Sequence, residues 1–186
     1  MKFILIKIIV FCLIILFNTA KANSFDVEYI VSVSSIKIGI LNWALEVKEG
    51  EYQTKINLKN SGMVSVLYKF KGEYSSSGKI DNDEFKTNEY KQYWQTKKKI
   101  KIIEMSFDEY LKRVYQDPRE EEHSRINLND LFQYFDPITS FINILNGRKE
   151  AKTVDGRRTY IMERLSLDDT QNITIKIKDY KNIWAD

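Results

Sequence analysis

Side chains that could carry out acid–base or metal chemistry are few, because the 186 residues include one histidine and one cysteine. His123 has no second histidine with which to form a metal site or a catalytic triad. The acidic run Glu120–Glu122 lacks the alternating Asp and Asn ligands and the turning glycine of a calcium loop. Both features are expected to be solvated loop residues, and the sequence predicts no cofactor and no metal.

Three carboxylates, Asp108, Asp136 and Asp155, are the remaining candidates for acid–base catalysis. Asp136 directly precedes Pro137, the usual order of a helix N-cap and a first helical residue. Asp155 is followed by Gly156, which is the strongest short signal for a β-hairpin turn. Because these roles explain two of the three, we predict that the protein is not an enzyme. A hydrolase with paired carboxylates is the third alternative for its function.

A basic patch, Lys97–Lys99 with Lys101, lies close to Tyr93 and Trp94 in the sequence. Lysines near aromatic rings are typical of proteins that bind single-stranded nucleic acid. Lysines also protect an exposed strand edge from aggregation. We favour edge protection because residues 23–186, which remain if the first 22 residues are removed, have no net charge. No nucleic-acid partner is predicted.

The first 22 residues have the parts of a secretory signal peptide. A basic start that includes Lys2 is followed by the apolar run Ile8–Phe17, and Ala20 and Ala22 are the small residues of a cleavage site. Cleavage after Ala22 would make Asn23 the first residue of the mature chain. The alternative is an uncleaved membrane anchor, but the apolar run is shorter than the ~20 residues that span a bilayer. The mature chain is therefore not expected to span a membrane.

Removal of residues 1–22 changes the charge and the redox chemistry of the chain. The sequence has 29 Lys and Arg against 26 Asp and Glu, and three of the lysines lie in this leader, so the mature domain is neutral. The single cysteine, Cys12, is also lost, which excludes disulfides and thiolate catalysis. An exported domain without disulfides fits the bacterial periplasm, which is the predicted location.

Alternation of apolar and polar residues predicts strands through most of residues 25–107. The apolar phase slips by one residue beside Gly39, which indicates a β-bulge and hence a bend. Ser75–Gly78 is expected to be a turn, and the polar residues 108–126 are expected to be an exposed loop. The predicted strands are Phe25–Val33, Ile36–Val47, Tyr52–Leu58, Tyr68–Tyr74, Phe85–Thr96 and Ile100–Phe107.

Two helices are predicted next, because apolar residues recur at helical spacing. The first runs from Leu128 to Phe135 with Asn127 as its cap, and the second follows the Asp136 cap and ends at Asn146. Strands are then expected to resume. They are Lys149–Val154, Arg158–Leu167 and Ile173–Ile177.

Large aromatic side chains are numerous for one domain, since the sequence holds 3 Trp, 11 Tyr and 10 Phe. They are mainly expected to form the core, where aromatic residues contribute much of the buried area. A curled sheet that does not close, with a helix over its mouth, would also leave an apolar cavity. The candidate walls of such a ligand pocket are Trp43, Tyr68, Phe70, Trp94 and Phe141.

Four short segments occur in order along the chain: Ile36–Gly39, Asn60–Phe70, Asp136–Phe141 and Val154–Tyr160. With them the chain resembles, over most of residues 25–165, the bacterial exported family catalogued as domain of unknown function 3108. The resemblance implies a periplasmic or envelope domain rich in β-structure, and it implies no catalytic residues. It also implies further strands after the point at which this chain stops.

We therefore predict an α+β, mainly β domain over residues 23–186. Its expected architecture is a strongly curved antiparallel sheet, similar to a half-barrel, with a helix pair packed on the concave face. The leading functional hypothesis is a non-catalytic envelope protein that binds a lipid or another amphipathic ligand. The alternative is an assembly factor that pairs an exposed strand edge with an envelope protein. Apolar content rises toward Ile183 and Trp184, so we also expect a truncated chain or a partner strand that completes the sheet.

Overall fold

Seven strands that follow one another along the chain form one antiparallel sheet in sequence order. The structure is a computed structural model, and it describes residues 23–33, 36–61, 65, 69–108, 113–117, 124–167 and 173–184. The strands are β1 (Asn23–Val33), β2 (Ile36–Lys48), β3 (Glu51–Asn60), β4 (Phe70–Asp81), β5 (Glu84–Thr96), β6 (Ile100–Asp108) and β7 (Arg113–Asp117).

Two-residue turns connect two of the neighbouring pairs. Glu49 and Gly50 join β2 to β3 with φ angles of 54° and 79°. Asn82 and Asp83 join β4 to β5 with φ angles of 49° and 64°. Positive φ at both central residues matches the twist of antiparallel strands, which is why Asn, Asp and Gly are found at these positions.

The C-terminal strands form a second antiparallel sheet of three strands in the order β10-β9-β8. Their bounds are β8 (Glu150–Val154), β9 (Arg158–Leu167) and β10 (Ile173–Asn182). The Asp155 carboxylate accepts hydrogen bonds from the amides of Arg157 at 2.9 Å and Arg158 at 2.7 Å. The hairpin predicted at Asp155 and Gly156 is confirmed.

One α-helix, α1 (Pro137–Leu145), contacts β4 and β5 of the larger sheet and β8 and β9 of the smaller one. The element before it is a 3₁₀ helix over Leu128–Gln133, capped by Asn127 as predicted. It ends before Phe135, because the Phe135 amide and carbonyl instead bond to Lys152 and Val154 at 2.9 Å each. Pairing with β8 therefore replaces the last helical turn that the sequence predicted.

The bulge predicted beside Gly39 is confirmed. Val31 of β1 pairs with Gly39 of β2, whereas the next residue, Ser32, pairs with Lys37. Ile38 is therefore the extra residue on β2. Such a residue bends the strand that carries it.

The turn predicted at Ser75–Gly78 is wrong, because these residues lie inside β4. A second bulge lies at their end, where Gly78 pairs with Thr87 and Asn88 of β5 is left over. A Cβ atom at Gly78 would lie 1.8 Å from the carbonyl oxygen of Lys86, so only glycine fits. The small side chains here reflect close packing rather than a reversal of the chain.

The prediction of one exposed loop over residues 108–126 is also wrong in part. Arg113–Asp117 forms β7 and pairs with Glu104–Asp108 of β6. A strand of five residues flanked by charged segments gives only a weak alternation signal. His123, the acidic run Glu120–Glu122 and the leader 1–22 lie outside the described residues.

Buried apolar side chains from both sheets and from α1 form one core cluster. Among the described helices, none combines the length and the hydropathy that crossing a membrane requires. The buried members of the cluster are Trp43, Tyr52, Phe85, Tyr90, Ile103, Met105, Phe107, Leu131, Ile138, Ile142, Val154, Ile183 and Trp184.

Candidate functional site

The face of the seven-stranded sheet that contacts α1 is called the inner face below. Strand register places Leu45, Thr54, Ser76, Tyr90 and Met105 side by side on it, from β2 to β6. All five are buried or half-buried. Thr54, Ser76 and Tyr90 therefore place three hydroxyl-bearing side chains next to one another, between the apolar Leu45 and Met105.

The carboxylate of Asp136 is fully buried and joins α1 to this face. Its Oδ1 accepts the amide hydrogens of Ile138 at 2.8 Å and Thr139 at 3.2 Å, which confirms the predicted N-cap. Its Oδ2 accepts hydroxyl hydrogen bonds from Ser76 of β4 at 2.8 Å, from Thr87 of β5 at 2.6 Å and from Thr139. Five donors thus surround one carboxylate.

Burial raises the pKa of Asp136 above its ordinary value, and the bonds from Thr139, Thr87 and Ser76 oppose that shift. The Tyr52 hydroxyl lies 2.6 Å from Thr139 Oγ1 and 3.2 Å from Ser76 Oγ. Because those two groups give their hydrogens to Asp136, Tyr52 donates to one of them. Burial, followed by the nearby Asp136 charge, raises the pKa of Tyr52 as well. The cluster is buried and satisfied, so its structural role accounts for it.

Further side chains tie α1 to both sheets. Ser140 accepts a hydrogen bond at 2.8 Å from Thr153 of β8. Asn143 bonds through its amide group to the backbone nitrogen and oxygen of Phe85, each at 2.9 Å. The helix is therefore fixed to the inner face and does not move as a free lid.

The predicted wall residues are found on the inner face in two pairs. The Trp43 ring is buried, donates to Thr54 Oγ1 at 2.8 Å and lies 5.5 Å from the Phe141 ring. The rings of Phe70 and Trp94 are 5.9 Å apart and half-buried. Tyr68 lies outside the described residues. The role of these side chains as pocket walls stays a prediction.

Part of the inner face is left open at β1. Phe25, Val27 and Tyr29 point to the same side as Trp43, since Val27 is its register partner. Their exposed fractions are 38%, 38% and 45%, although the Phe25 ring meets Trp43 edge-on at 5.0 Å. Sequence alternation identified this apolar face. The sequence did not show that β1 is an edge strand that α1 leaves uncovered.

An apolar cavity of about 210 Å³ continues this open region. Its walls include Val31 of β1, Ile38 at the bulge, Leu58 of β3 and Phe70 of β4. The extra residue of the bulge lines the cavity, so the predicted phase slip beside Gly39 was a signal for it. Sequence reasoning placed Phe70 in a pocket and missed the other three walls.

A larger cavity of about 940 Å³ lies at the opposite end of the sheet, beside the 3₁₀ helix. Phe107, Phe132 and Phe135 line it together with charged residues of both signs. Arg148 lies over the Phe135 ring at 5.3 Å and forms an ion pair with Glu84. This mixed lining lacks the continuous apolar wall that a lipid chain needs.

In the part of the chain that the structure describes, no three His, Cys, Asp or Glu side chains lie close enough together to hold a metal ion. The Asp155 carboxylate is used in its turn, and Asp136 is used in the helix cap. The two roles predicted for these carboxylates are confirmed.

Comparison with known families confirms the family resemblance that the four sequence segments indicated. The family described as "Protein of unknown function (DUF3108)" matches residues 24–185. The chain belongs to this family. The match begins within β1 and ends just after Trp184, so the DUF3108 region covers both sheets and the helix. No curated protein and no solved structure matches the chain.

Proposed function

We propose that this DUF3108 protein is a non-catalytic protein of the bacterial envelope that binds an apolar or amphipathic ligand on the inner face. The observation that carries the proposal is the open apolar strip of Phe25, Val27 and Tyr29, which leads into the 210 Å³ cavity. Burying such side chains against an acyl chain would be favourable, at about 25 cal/mol for each Å² of apolar surface. Monomeric proteins seldom leave large contiguous apolar patches exposed without a binding role.

The cavity alone is too small for a whole lipid. Pockets for drug-sized ligands measure ~300–1,000 Å³, whereas an apolar cavity of ~150 Å³ is enough for a benzene ring. We therefore place the end of one acyl chain between Val31, Leu58 and Phe70, and the remainder of the chain along β1. The bulges at Ile38 and Asn88 support a curved sheet, similar to a half-barrel, around such a ligand.

Export is part of the proposal and is supported by the leader sequence. Residues 1–22 have the order of a signal peptide, and β1 begins at Asn23. Cleavage after Ala22 would therefore release the domain with its first strand intact. The periplasm is the location that follows from this order and from the absence of cysteine in residues 23–186.

The ligand proposal predicts that filling the cavity weakens binding. Val31→Phe adds bulk on the inner face, and we expect palmitate affinity to fall at least tenfold, measured by isothermal titration calorimetry. Ile30→Phe is the matched control, because Ile30 is the next residue, points to the outer face and is 66% exposed. Equal affinities for the two variants, or no saturable binding of palmitate by the wild type, would disprove the site.

The second candidate function is an assembly factor, and the free edges of the sheets favour it. In the described part of the chain, β1 pairs only with β2, and β10 pairs only with β9. An edge strand can accept a strand from a partner. Native mass spectrometry of protein from the envelope fraction separates the candidates, since a bound lipid supports the ligand proposal and a stoichiometric protein supports an assembly factor.

A further inference from the structure

The neutral net charge of the domain conceals a concentration of positive charge at one end of the seven-stranded sheet. The β1–β2, β3–β4 and β5–β6 connections lie at one end of the seven-stranded sheet, which we call the lysine end. Glu73 is the carboxylate nearest to it along β4. The lysine end is defined by Lys37, Lys59, Lys69, Lys71, Lys97, Lys98, Lys99 and Lys101.

The opposite end of the sheet carries charges of both signs. Its turns hold or adjoin Glu49, Glu51, Asp81, Asp83 and Glu84, and Lys48, Lys79, Lys86 and Arg148 lie among them. Charges of one sign gathered at one end create a local potential even when the whole domain is neutral. The sequence analysis used only the net charge of the domain, which does not describe the lysine end.

Protection of an exposed strand edge from aggregation does not explain most of these lysines. Lys97–Lys99 lie in the β5–β6 turn, where the Lys98 and Lys99 amides bond to Thr96 Oγ1 at 3.3 and 3.1 Å. They are therefore not on a strand edge. Lys101 does lie on β6 beyond the part that pairs with β7, and Lys37 lies on β2 beyond the part that pairs with β3, so edge protection fits these two residues.

Exposed isoleucines accompany the lysines. On the outer face, register places Ile30, Lys59, Lys71 and Ile100 in one row across the sheet. Ile30 and Ile100 are 66% and 57% exposed, and Ile102 on the same side of β6 is 49% exposed. Cationic groups bordered by exposed aliphatic side chains are typical of surfaces that lie in the interface of a membrane.

A hollow of about 520 Å³ at this end suits a phosphate group. Lys59, Lys69, Lys71 and Lys97 line it together with the Phe70 ring. Lys71 forms an ion pair with Glu73 at 2.5 Å. Among the described residues, Lys59, Lys69 and Lys97 have no carboxylate within ion-pair distance.

We propose that the lysine end is a docking surface for an anionic lipid bilayer, with the lysines on lipid phosphates and Ile100 and Ile102 in the interface. Charge complementarity selects this occupant, and the aliphatic side chains distinguish it from a purely polar polyanion. The proposal does not depend on a ligand at the inner face. The apolar cavity lies beside the same end, since Phe70 lines both hollows.

The test is sedimentation of the full chain with vesicles of phosphatidylcholine alone and of phosphatidylcholine with phosphatidylglycerol at 7:3. Vesicles without the anionic lipid report apolar partitioning alone, including that of the leader. We expect tighter binding to the anionic vesicles at 0.05 M salt and loss of this difference at 1 M salt, where the Debye length falls to about 3 Å.

Charge reversal identifies the surface. Each lysine near an anionic membrane contributes about fivefold in binding, so Lys97→Glu, Lys98→Glu and Lys99→Glu together should weaken binding to the anionic vesicles at least ~100-fold. The matched control reverses three exposed lysines elsewhere, Lys48, Lys149 and Lys176, and so changes the net charge equally. An equal loss in both triple variants would overturn the proposal, because net charge alone would then explain the binding.

The aliphatic contribution is tested separately. Ile100→Ser with Ile102→Ser should weaken binding to the anionic vesicles at least fivefold. Leu165→Ser with Ile177→Ser, which are 57% and 55% exposed on the smaller sheet, should leave it unchanged. The proposal would be overturned if the wild-type protein did not bind anionic vesicles. It would also be overturned if the protein bound a single-stranded oligonucleotide more tightly than the vesicles at the same salt concentration.

Discussion

The buried carboxylate of Asp136 accepts five hydrogen bonds, from the first turn of α1 and from two strands of the larger sheet. It caps the first turn of α1 and accepts hydroxyl hydrogen bonds from β4 and β5, so a single residue connects helix to sheet. The sequence predicted its capping role from the Asp-Pro order. It could not predict Ser76 and Thr87 as partners, because they are 60 and 49 residues away along the chain.

Asp136→Ala should therefore cost more than an ordinary helix cap. Loss of a cap costs about 0.5–2 kcal/mol, and each buried donor left without a partner adds about 1–3 kcal/mol. We expect the free energy of unfolding in urea to fall by about 3 kcal/mol or more. Asn127→Ala removes the exposed cap of the 3₁₀ helix and should cost about 1 kcal/mol or less. Equal losses would mean that the hydroxyl contacts contribute nothing.

The raised pKa of Asp136 also gives a pH dependence with a definite sign. Its ordinary value is 3.8, and burial raises the folded-state pKa above that. The folded state then holds the proton more tightly, so this contribution to stability is complete below pH 3.8 and is lost as pH rises through the folded pKa. Relative to Asp136→Asn, the wild type should lose stability in urea titrations as the pH rises above 3.8. A relative gain would contradict the burial effect.

At the level of the elements, most of the fold could be predicted from alternation and from turn chemistry. Strands β2, β5 and β9, the Asp155 hairpin and α1 agree with the sequence within a few residues. Two errors share one cause, since Ser75–Gly78 and Phe135 have local preferences that pairing with distant strands overrides. The cavity was predictable only in part, because its walls depend on which strand lies at the edge.

The second bulge makes Gly78 irreplaceable. Gly78→Ala would place a methyl group 1.8 Å from the Lys86 carbonyl oxygen, so β4 and β5 must separate. We expect a loss of about 1–3 kcal/mol in thermal or urea unfolding, as for other overpacked sites. Gly147→Ala is a useful comparison, because nothing lies within 4 Å of a Cβ there and any loss comes only from its φ of 109°. A Gly78→Ala variant as stable as wild type would disprove the close approach.

At the level of the whole molecule, the family relationship and the architecture agree, because the DUF3108 match spans both sheets and the helix. Neither determines a ligand, which is why the ligand proposal rests on the exposed apolar surface of β1 and the membrane proposal rests on the lysine end. Of the aromatic residues named from the sequence, Trp43, Phe70 and Trp94 lie on the inner face of the larger sheet. The Trp43 ring packs against Phe141 of α1, whereas the Phe70 and Trp94 rings pack against each other between β4 and β5.

Export predicts a definite mature chain. Protein purified from the envelope fraction should begin at Asn23, as read by N-terminal sequencing, because Ala20 and Ala22 satisfy a signal peptidase. Ala22→Arg should block this cleavage, whereas Asn18→Arg, outside the small-residue site, should not. Envelope material that retains Met1 would instead indicate an anchored protein.

The pairing of neighbouring strands in the larger sheet has a consequence for the order in which the chain folds. Hairpins between neighbouring strands close short loops and form early, whereas contacts such as Tyr52 with Thr139 close a loop of 87 residues and form late. The seven-stranded sheet should therefore exist for a time before α1 covers it. During that time Thr54, Ser76 and Thr87 expose hydroxyl groups across the centre of its inner face. These hydroxyl groups, two of which later donate to Asp136, thus keep the uncovered sheet hydrated and less prone to aggregate before the helix packs on it.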